Sequence, residues 1–322
     1  MDPDFKKINS ITVKYLFVSF LCLSFAVSGC SKQVSGDQKN YRFNGTMTVD
    51  GMERTYLLNL PPDYYDTSNL PLVIALHGLG GNAAECERDY GITEKGNAAG
   101  FVVVYPEGVR NDGILGLRTW NAGTCCQFAM EHNIDDVHFV SVLIDTLLAH
   151  YAINPKKVYV TGMSNGAMLT YRLACELSGK IAAIAAVSGT LLTTGPCQPG
   201  RAVPVLHIHS LQDEKVPYYG GTGLGGYYFP PVDSGLNVWA NIDACSETPV
   251  VVDYGTYTFS QWNNSGNGAT VECYLTKDGG HAWPGGLKSS RRSDTPSTAI
   301  NATDVIWDFF KQYSLPRQPL QP

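Results

Sequence analysis

Lys157-Val158-Tyr159-Val160-Thr161-Gly162-Met163-Ser164-Asn165-Gly166-Ala167-Met168-Leu169-Thr170-Tyr171-Arg172-Leu173-Ala174 is the stretch from which the rest of the chain is read. Its first four residues are β-branched, aromatic or long and read as a buried strand. Ala167 to Ala174 reads as a helix with an apolar face. Between them a serine sits in a Gly-x-Ser-x-Gly turn, the pattern of a nucleophile elbow. Such a turn is so tight that side chains two residues before and after the serine would collide, which accounts for Gly162 and Gly166. It lifts the Ser164 hydroxyl clear of the sheet edge and aims the first helical N–H groups at whatever the serine attacks.

Chain order then directs the search for partners, because this arrangement places serine, acid and histidine in sequence. Val203-Pro204-Val205-Leu206-His207-Ile208-His209 reads as a second buried strand, and Asp213 follows its carboxyl end. Functional groups of open α/β sheets collect outside those ends. Glu214 is the neighbouring rival; Asp233, Asp243 and Asp253 lack a preceding buried strand. His281 lies in the Gly- and Pro-flanked loop Asp278 to Gly286, after the strand Val271 to Leu275. A fourth part is electrostatic. The apolar strand Pro71 to Leu76 ends in His77-Gly78-Leu79-Gly80-Gly81, a corner suited to leave backbone N–H groups free. The N–H groups of Leu79 and Asn165 are the expected oxyanion hole.

The remaining histidines have plainer readings. His207 and His209 share a strand face, as a metal pair could, but no carboxylate or cysteine falls at supporting ligand spacing, so no metal is expected. His77 reads as a turn residue, and His132, His138 and His150 as surface or packing residues on or near a helix. No cofactor is implied.

Together these segments resemble the secreted esterase family of polyhydroxybutyrate depolymerases, which includes feruloyl and acetylxylan esterases and a poly(aspartic acid) hydrolase. The resemblance spans about residues 44–313. It rests on Leu72 to Gly81, Gly100 to Pro106, Trp120-Asn121-Ala122-Gly123 with Cys125-Cys126, Asp135-Asp136-Val137, Val158 to Gly166, Pro204 to Asp213 with Val216-Pro217-Tyr218, and Gly279 to Gly286. It implies an α/β-hydrolase fold, a mostly parallel sheet with helices on both faces, and places Ser164, Asp213 and His281 at the family's catalytic positions. Ser210-Leu211-Gln212 departs from the Gly-Thr-Ala usual in relatives, and Lys277-Asp278 and Ala282 depart from the usual histidine loop.

The N-terminus bears on location. Lys6, Lys7 and Lys14 precede an apolar run, Tyr15 to Val27, too short for a permanent membrane helix and readable as a signal peptide. Val27-Ser28-Gly29-Cys30 resembles a bacterial lipobox, which would make Cys30 the lipidated first residue, and Ser31 resembles an outer-membrane sorting residue. The expected organisation is a signal peptide at 1–29, a flexible tether at 30–43, one catalytic domain at 44–315 and a short tail at 316–322. The expected destination is the outer membrane or cell surface, with the lipid as the sole membrane contact, or otherwise secretion.

Loss of residues 1–29 moves the formal charge from −6 to about −7. An acidic chain without a basic run excludes ordinary nucleic-acid binding and is a poor match for a polyanionic substrate. Nine cysteines suit an exported protein. By the resemblance, Cys175 pairs with Cys197; Cys245 with Cys273 is a second, weaker candidate. Around the site, Trp120, Tyr218 and Trp283 are the expected cleft aromatics, suited to a ring-bearing acyl group or a sugar chain. The alternative for each is loop packing. The expected substrate is a polymeric or oligomeric ester of feruloyl or acetylxylan type. Polyhydroxybutyrate and poly(aspartic acid) are the alternatives, and a glycan-binding lipoprotein without catalysis is the alternative of another class. Oligomeric state is not legible in the sequence.

Overall fold

In a computed structural model, residues 39–316 are described apart from Ser265, Asn267 and Arg292. The signal segment and Cys30 lie outside the described residues. The described residues from Asn40 onward form one compact unit.

The chain enters through an antiparallel hairpin, β1 (Arg42–Val49) and β2 (Met52–Asn59). Its turn is made by Asp50 and Gly51, both at positive φ, as the two central residues of a tight hairpin turn require. Then come β3 (Leu70–Leu76), α1 (Ala83–Tyr90), α2 (Ile92–Ala99) and β4 (Val102–Pro106). A two-residue ladder, β5 (Val109–Arg110) with β6 (Arg118–Thr119), leads to α3 (Gln127–Glu131) and α4 (Asp136–His150). Next are β7 (Ile153–Met163), α5 (Asn165–Glu176), β8 (Ala183–Val187) and β9 (Val205–Ser210). A second small ladder, β10 (Gly221–Thr222) with β11 (Tyr228–Phe229), precedes α6 (Val232–Ile242). The chain closes with β12 (Val250–Asp253), β13 (Tyr257–Asn263), β14 (Thr270–Thr276) and α7 (Ala302–Phe310).

Ten strands form the main sheet in the order β1-β2-β4-β3-β7-β8-β9-β14-β13-β12. Its six central strands, β4 to β14, run parallel; the two at each edge add antiparallel. This is the α/β-hydrolase fold expected from the sequence. Near-continuous apolar runs in the central strands follow from burial on both faces. Alternate side chains divide between two cores. Leu72, Ile74 and Leu76 meet Phe139, Leu143, Leu169, Leu236 and Trp239 of α4, α5 and α6. Val73 and Ala75 meet Tyr90, Ile92, Ile306 and Phe309 of α1, α2 and α7. No helix among the described residues is long and apolar enough to cross a membrane.

Disulfides join Cys175 to Cys197 and Cys125 to its neighbour Cys126. Cys245 and Cys273 are not joined, which corrects the second pairing. Cys273 is buried in β14 beneath α6, whereas Cys245 lies in the turn after α6, where its thiol reaches the Ala269 carbonyl at 3.8 Å.

Candidate active site

The elbow is strained as its sequence requires. Ser164 has φ 56° and ψ −121°, an unfavourable region for a residue with a side chain, and its N–H donates to Val187 O at 2.9 Å. A β-carbon on Gly162 would lie 2.7 Å from Gly166 C, and one on Gly166 would lie 2.5 Å from His77 O. Strand β7, helix α5 and the corner after β3 therefore touch backbone to backbone. Asn165, Gly166 and Ala167 begin α5, so their N–H groups have no preceding helical carbonyl to bond.

The corner after β3 is built around His77. Its Nδ1 donates to Gly78 O at 2.7 Å and its Nε2 accepts from Gly108 N–H at 3.0 Å. Burial lowers the His77 pKa to about 4, so the ring stays neutral and structural, as read from the sequence. Gly80 and Gly81 donate their N–H groups to Arg118 O and Gly78 O. The N–H of Leu79 donates to no acceptor among the described residues, and Gly78 comes within 3.4 Å of the Ser164 β-carbon when given one of its own. Asn165 holds the neighbouring loop, accepting from Trp120 N–H at 2.7 Å and donating to Trp120 O at 3.0 Å. Behind that loop, buried Asp136 accepts from Arg54 at 2.7 Å and from Asn121 N–H at 2.8 Å.

Asp213 and His281 meet directly. Strand β9 lies beside β14, and Asp213 and His281 leave their carboxyl ends. The His281 Nδ1 donates to Asp213 Oδ2 at 2.7 Å. Asp213 Oδ1 accepts the N–H groups of Lys215 and Val216, each at 2.9 Å. Burial disfavours the Asp213 charge, but the His281 bond and its positive field outweigh that, holding the pKa below the usual carboxylate range. Glu214, the sequence rival, is exposed. The Ser210 hydroxyl donates to Gly279 O at 2.7 Å, and Gln212 donates to Lys277 O at 2.8 Å. Two residues that depart from the family pattern thus tie the aspartate loop to the histidine loop. His281 N–H donates to Asp294 at 2.9 Å, and Asp278 accepts Thr298 N–H at 2.9 Å. Register places Ser164 on the same edge: Met163 pairs with Val187, Val187 with Ile208, and Ile208 with Tyr274.

One recess borders the serine and a second lies beside it. One is a crevice with about 10 Å³ of room, lined chiefly by Leu79, Ser164, Met168, Val216, Tyr227 and Phe229. The Tyr227 hydroxyl accepts Gln127 N–H at 3.0 Å, closing it from above. The other is an open pocket of about 320 Å³ running past Gly78 and Met163, with Asn82, Glu85, Ser289 and Ser293 on its walls.

The expected cleft aromatics lie elsewhere, a correction to the sequence reading. Trp120, Tyr218 and Trp283 are buried and belong to neither recess. Each has its polar atom engaged: in the interior Trp120 Nε1 donates to His77 O and Trp283 Nε1 to Thr303, and nearer the surface the Tyr218 hydroxyl donates to Asp233. Trp283 stacks on Tyr90 at 4.2 Å. Sequence proximity to the motifs carried no information on side-chain direction; Tyr227 and Phe229 are the aromatics that line the crevice with Ser164. Among the described residues no cluster of metal-ligating side chains occurs.

A strained serine at the end of a central strand, with a bonded aspartate–histidine pair on the same edge, defines an α/β-hydrolase arrangement. Residues 54–208 match the family described as Esterase PHB depolymerase. The chain is 27% identical to Feruloyl esterase B of Piromyces equi over 82% of its own length and 46% of that protein's. It is 28% identical to putative esterase NocK of Nocardia uniformis subsp. tsuyamanensis, over 82% and 80%. The chain therefore spans about half the length of the Piromyces relative. Among solved structures it is similar to an acetyl xylan esterase from Aspergillus awamori, with a TM-score of 0.60 and 17% identity over 84% and 99% of the two chains.

Proposed function

We propose that the protein is a serine esterase that cleaves carboxylic esters through Ser164, His281 and Asp213. The observation that carries this reading is the Asp213–His281 hydrogen bond on the same sheet edge as the strained Ser164 elbow. In the mechanism, Asp213 fixes the His281 tautomer with hydrogen on Nδ1, leaving Nε2 to take the serine proton. Ser164 Oγ attacks the ester carbonyl, and the oxyanion is received by the N–H groups of Leu79 and Asn165. Protonated His281 returns the proton to the departing alcohol, and water then repeats the cycle on the acyl-enzyme.

The recesses suggest the kind of ester. The crevice at Ser164, with room for about one water-sized group, favours the smallest acyl groups and is too small for a feruloyl ring with its loops as they stand. The open pocket, with hydroxyl, amide and carboxylate side chains, suits a polyhydroxylated alcohol. Glu85 and Asp89 on its walls would repel polyaspartate. The reading is therefore an acetyl ester on a carbohydrate. Its test is release of acid from acetylated xylan, methyl ferulate, polyhydroxybutyrate and polyaspartate. Preference for acetylated xylan supports the reading; preference for methyl ferulate, the polyester or the polyamide contradicts it.

Export with a lipid on Cys30 is the accompanying proposal, supported by the apolar run and the Val27-Ser28-Gly29-Cys30 sequence.

A further inference from the structure

Beneath the candidate site runs a buried chain of polar groups that the mechanism above does not use. The Tyr171 hydroxyl lies 2.8 Å from His207 Nδ1, His207 Nε2 lies 3.0 Å from His209 Nδ1, and His209 Nε2 lies 2.8 Å from Val216 O. The same His209 nitrogen is 3.4 Å from Asp213 Oδ2, the oxygen that accepts from His281. Both histidines are wholly buried.

One end of this chain fixes all of it. A backbone carbonyl can only accept, so His209 carries its hydrogen on Nε2. Its Nδ1 is then an acceptor, so His207 donates from Nε2. His207 Nδ1 accepts in turn, and Tyr171 donates. A charge on either ring would force Tyr171 to accept rather than donate, and charges on both would set two hydrogens facing each other between the rings. Burial also pushes both rings below the usual histidine pKa, in His207 well below, which keeps them neutral. Val216 is gripped from both sides: its N–H holds Asp213 Oδ1 and its carbonyl is held by His209.

We infer that His209 is a positioning residue for the aspartate–histidine pair, locked by Tyr171 and His207 as an Nε2–H donor that pins the Val216 peptide and directs Asp213 Oδ2 toward His281. This rests on the Ser164–His281–Asp213 reading proposed above. It gives a role to residues that the sequence offered only as a metal pair. It also links α5, which carries the nucleophile at its start and Tyr171 in its body, to the acid on the next loop but one.

The groups around His209 are few. They are His207 on its own strand, Asp213 and Val216 on the following loop, His281 beyond β14, and Tyr218, whose ring meets His209 edge-on at 5.7 Å. Tyr218 donates to Asp233 of α6, and Cys273 of β14 pairs with His207 in register.

The test begins with the unaltered protein. Nitrogen-15 spectra of the histidine rings are expected to show His207 and His209 as neutral Nε2–H tautomers at about pH 7. A Nδ1–H tautomer or a charged ring at either position overturns the inference. His209→Gln keeps an amide N–H at the reach of Nε2, and His209→Asn places it only at the reach of Nδ1. With p-nitrophenyl acetate, the asparagine variant is expected to lose on the order of tenfold or more in kcat with KM within about twofold, as supporting-residue substitutions do. Its His281–Asp213 proton resonance is expected to move, and glutamine is expected to restore both. Wild-type kcat and an unmoved resonance in a folded asparagine variant contradict the inference. Ser164→Ala run beside them separates the two readings: turnover surviving there defeats the triad, whereas turnover lost there but kept in His209→Asn defeats only the role of His209.

Discussion

The side chains of Asp213 and His281, sixty-eight residues apart in sequence, are joined by a 2.7 Å hydrogen bond from Nδ1 to Oδ2 at the ends of two neighbouring parallel strands. Asp213 is buried and its other oxygen takes two backbone N–H groups. A carboxylate so held stays ionised through the neutral range and fixes one tautomer of the histidine.

Asp213→Asn is therefore expected to lower kcat by orders of magnitude with an unchanged circular dichroism spectrum, because the amide favours the wrong tautomer. Glu214→Gln, at an exposed position, is expected to leave kcat within about twofold of wild type. The reverse result, a near-normal Asp213→Asn beside a crippled Glu214→Gln, assigns the acid to Glu214.

Gly166→Ala tests the packing of the elbow. The added carbon would lie 2.5 Å from His77 O and 2.6 Å from Leu76 O, and both are backbone atoms that cannot swing away. Denaturant unfolding is expected to show a loss of about 2 kcal/mol or more, within the range for overpacked sites. A loss under 0.5 kcal/mol means that β3 and α5 do not touch as described.

Asp243 gives a signed pH dependence. Burial raises its pKa from 3.8 to about 7, so the folded chain holds that proton more tightly than the unfolded chain. Its contribution to stability is present below about pH 4, falls as pH rises to about 7, and is flat above. His77, lowered from 6.5 to about 4, acts oppositely: its contribution is present above 6.5 and lost as pH falls toward 4. Subtracting the wild type isolates the aspartate. The melting-temperature gain of Asp243→Asn is expected to be larger at pH 7.5 than at pH 5. An equal gain at both contradicts the raised pKa.

Cys30→Ala tests the anchor. Two acyl chains hold a protein on a membrane where one does so only marginally, so the variant is expected to move from the membrane fraction to the soluble fraction. An unmodified Cys30 in mass spectra of the mature wild-type protein contradicts lipidation.

The elbow, the parallel strands and the meeting of Asp213 with His281 were legible because each rests on local chemistry: β-branched runs, glycines where backbones touch, and polar groups just past strand ends. Direction within loops was not. Trp120 and Trp283 stand beside the motifs in sequence, yet each turns its ring inward, where a carbonyl or hydroxyl satisfies its N–H. Tyr227 reaches the crevice because its hydroxyl meets Gln127 N–H, a partner 100 residues away. The edge strand β12 was equally silent, since all four of its residues face solvent and carry no alternation. His207 and His209 were noticed as a pair, but only the position of Val216 O reveals which way their protons point.

The most direct measurement is labelling with a fluorophosphonate followed by peptide mass spectrometry. The account predicts one adduct, on Ser164, formed in step with loss of p-nitrophenyl acetate hydrolysis, and neither labelling nor turnover in Ser164→Ala. Undiminished hydrolysis by Ser164→Ala, or an inactivating adduct on another residue, contradicts it.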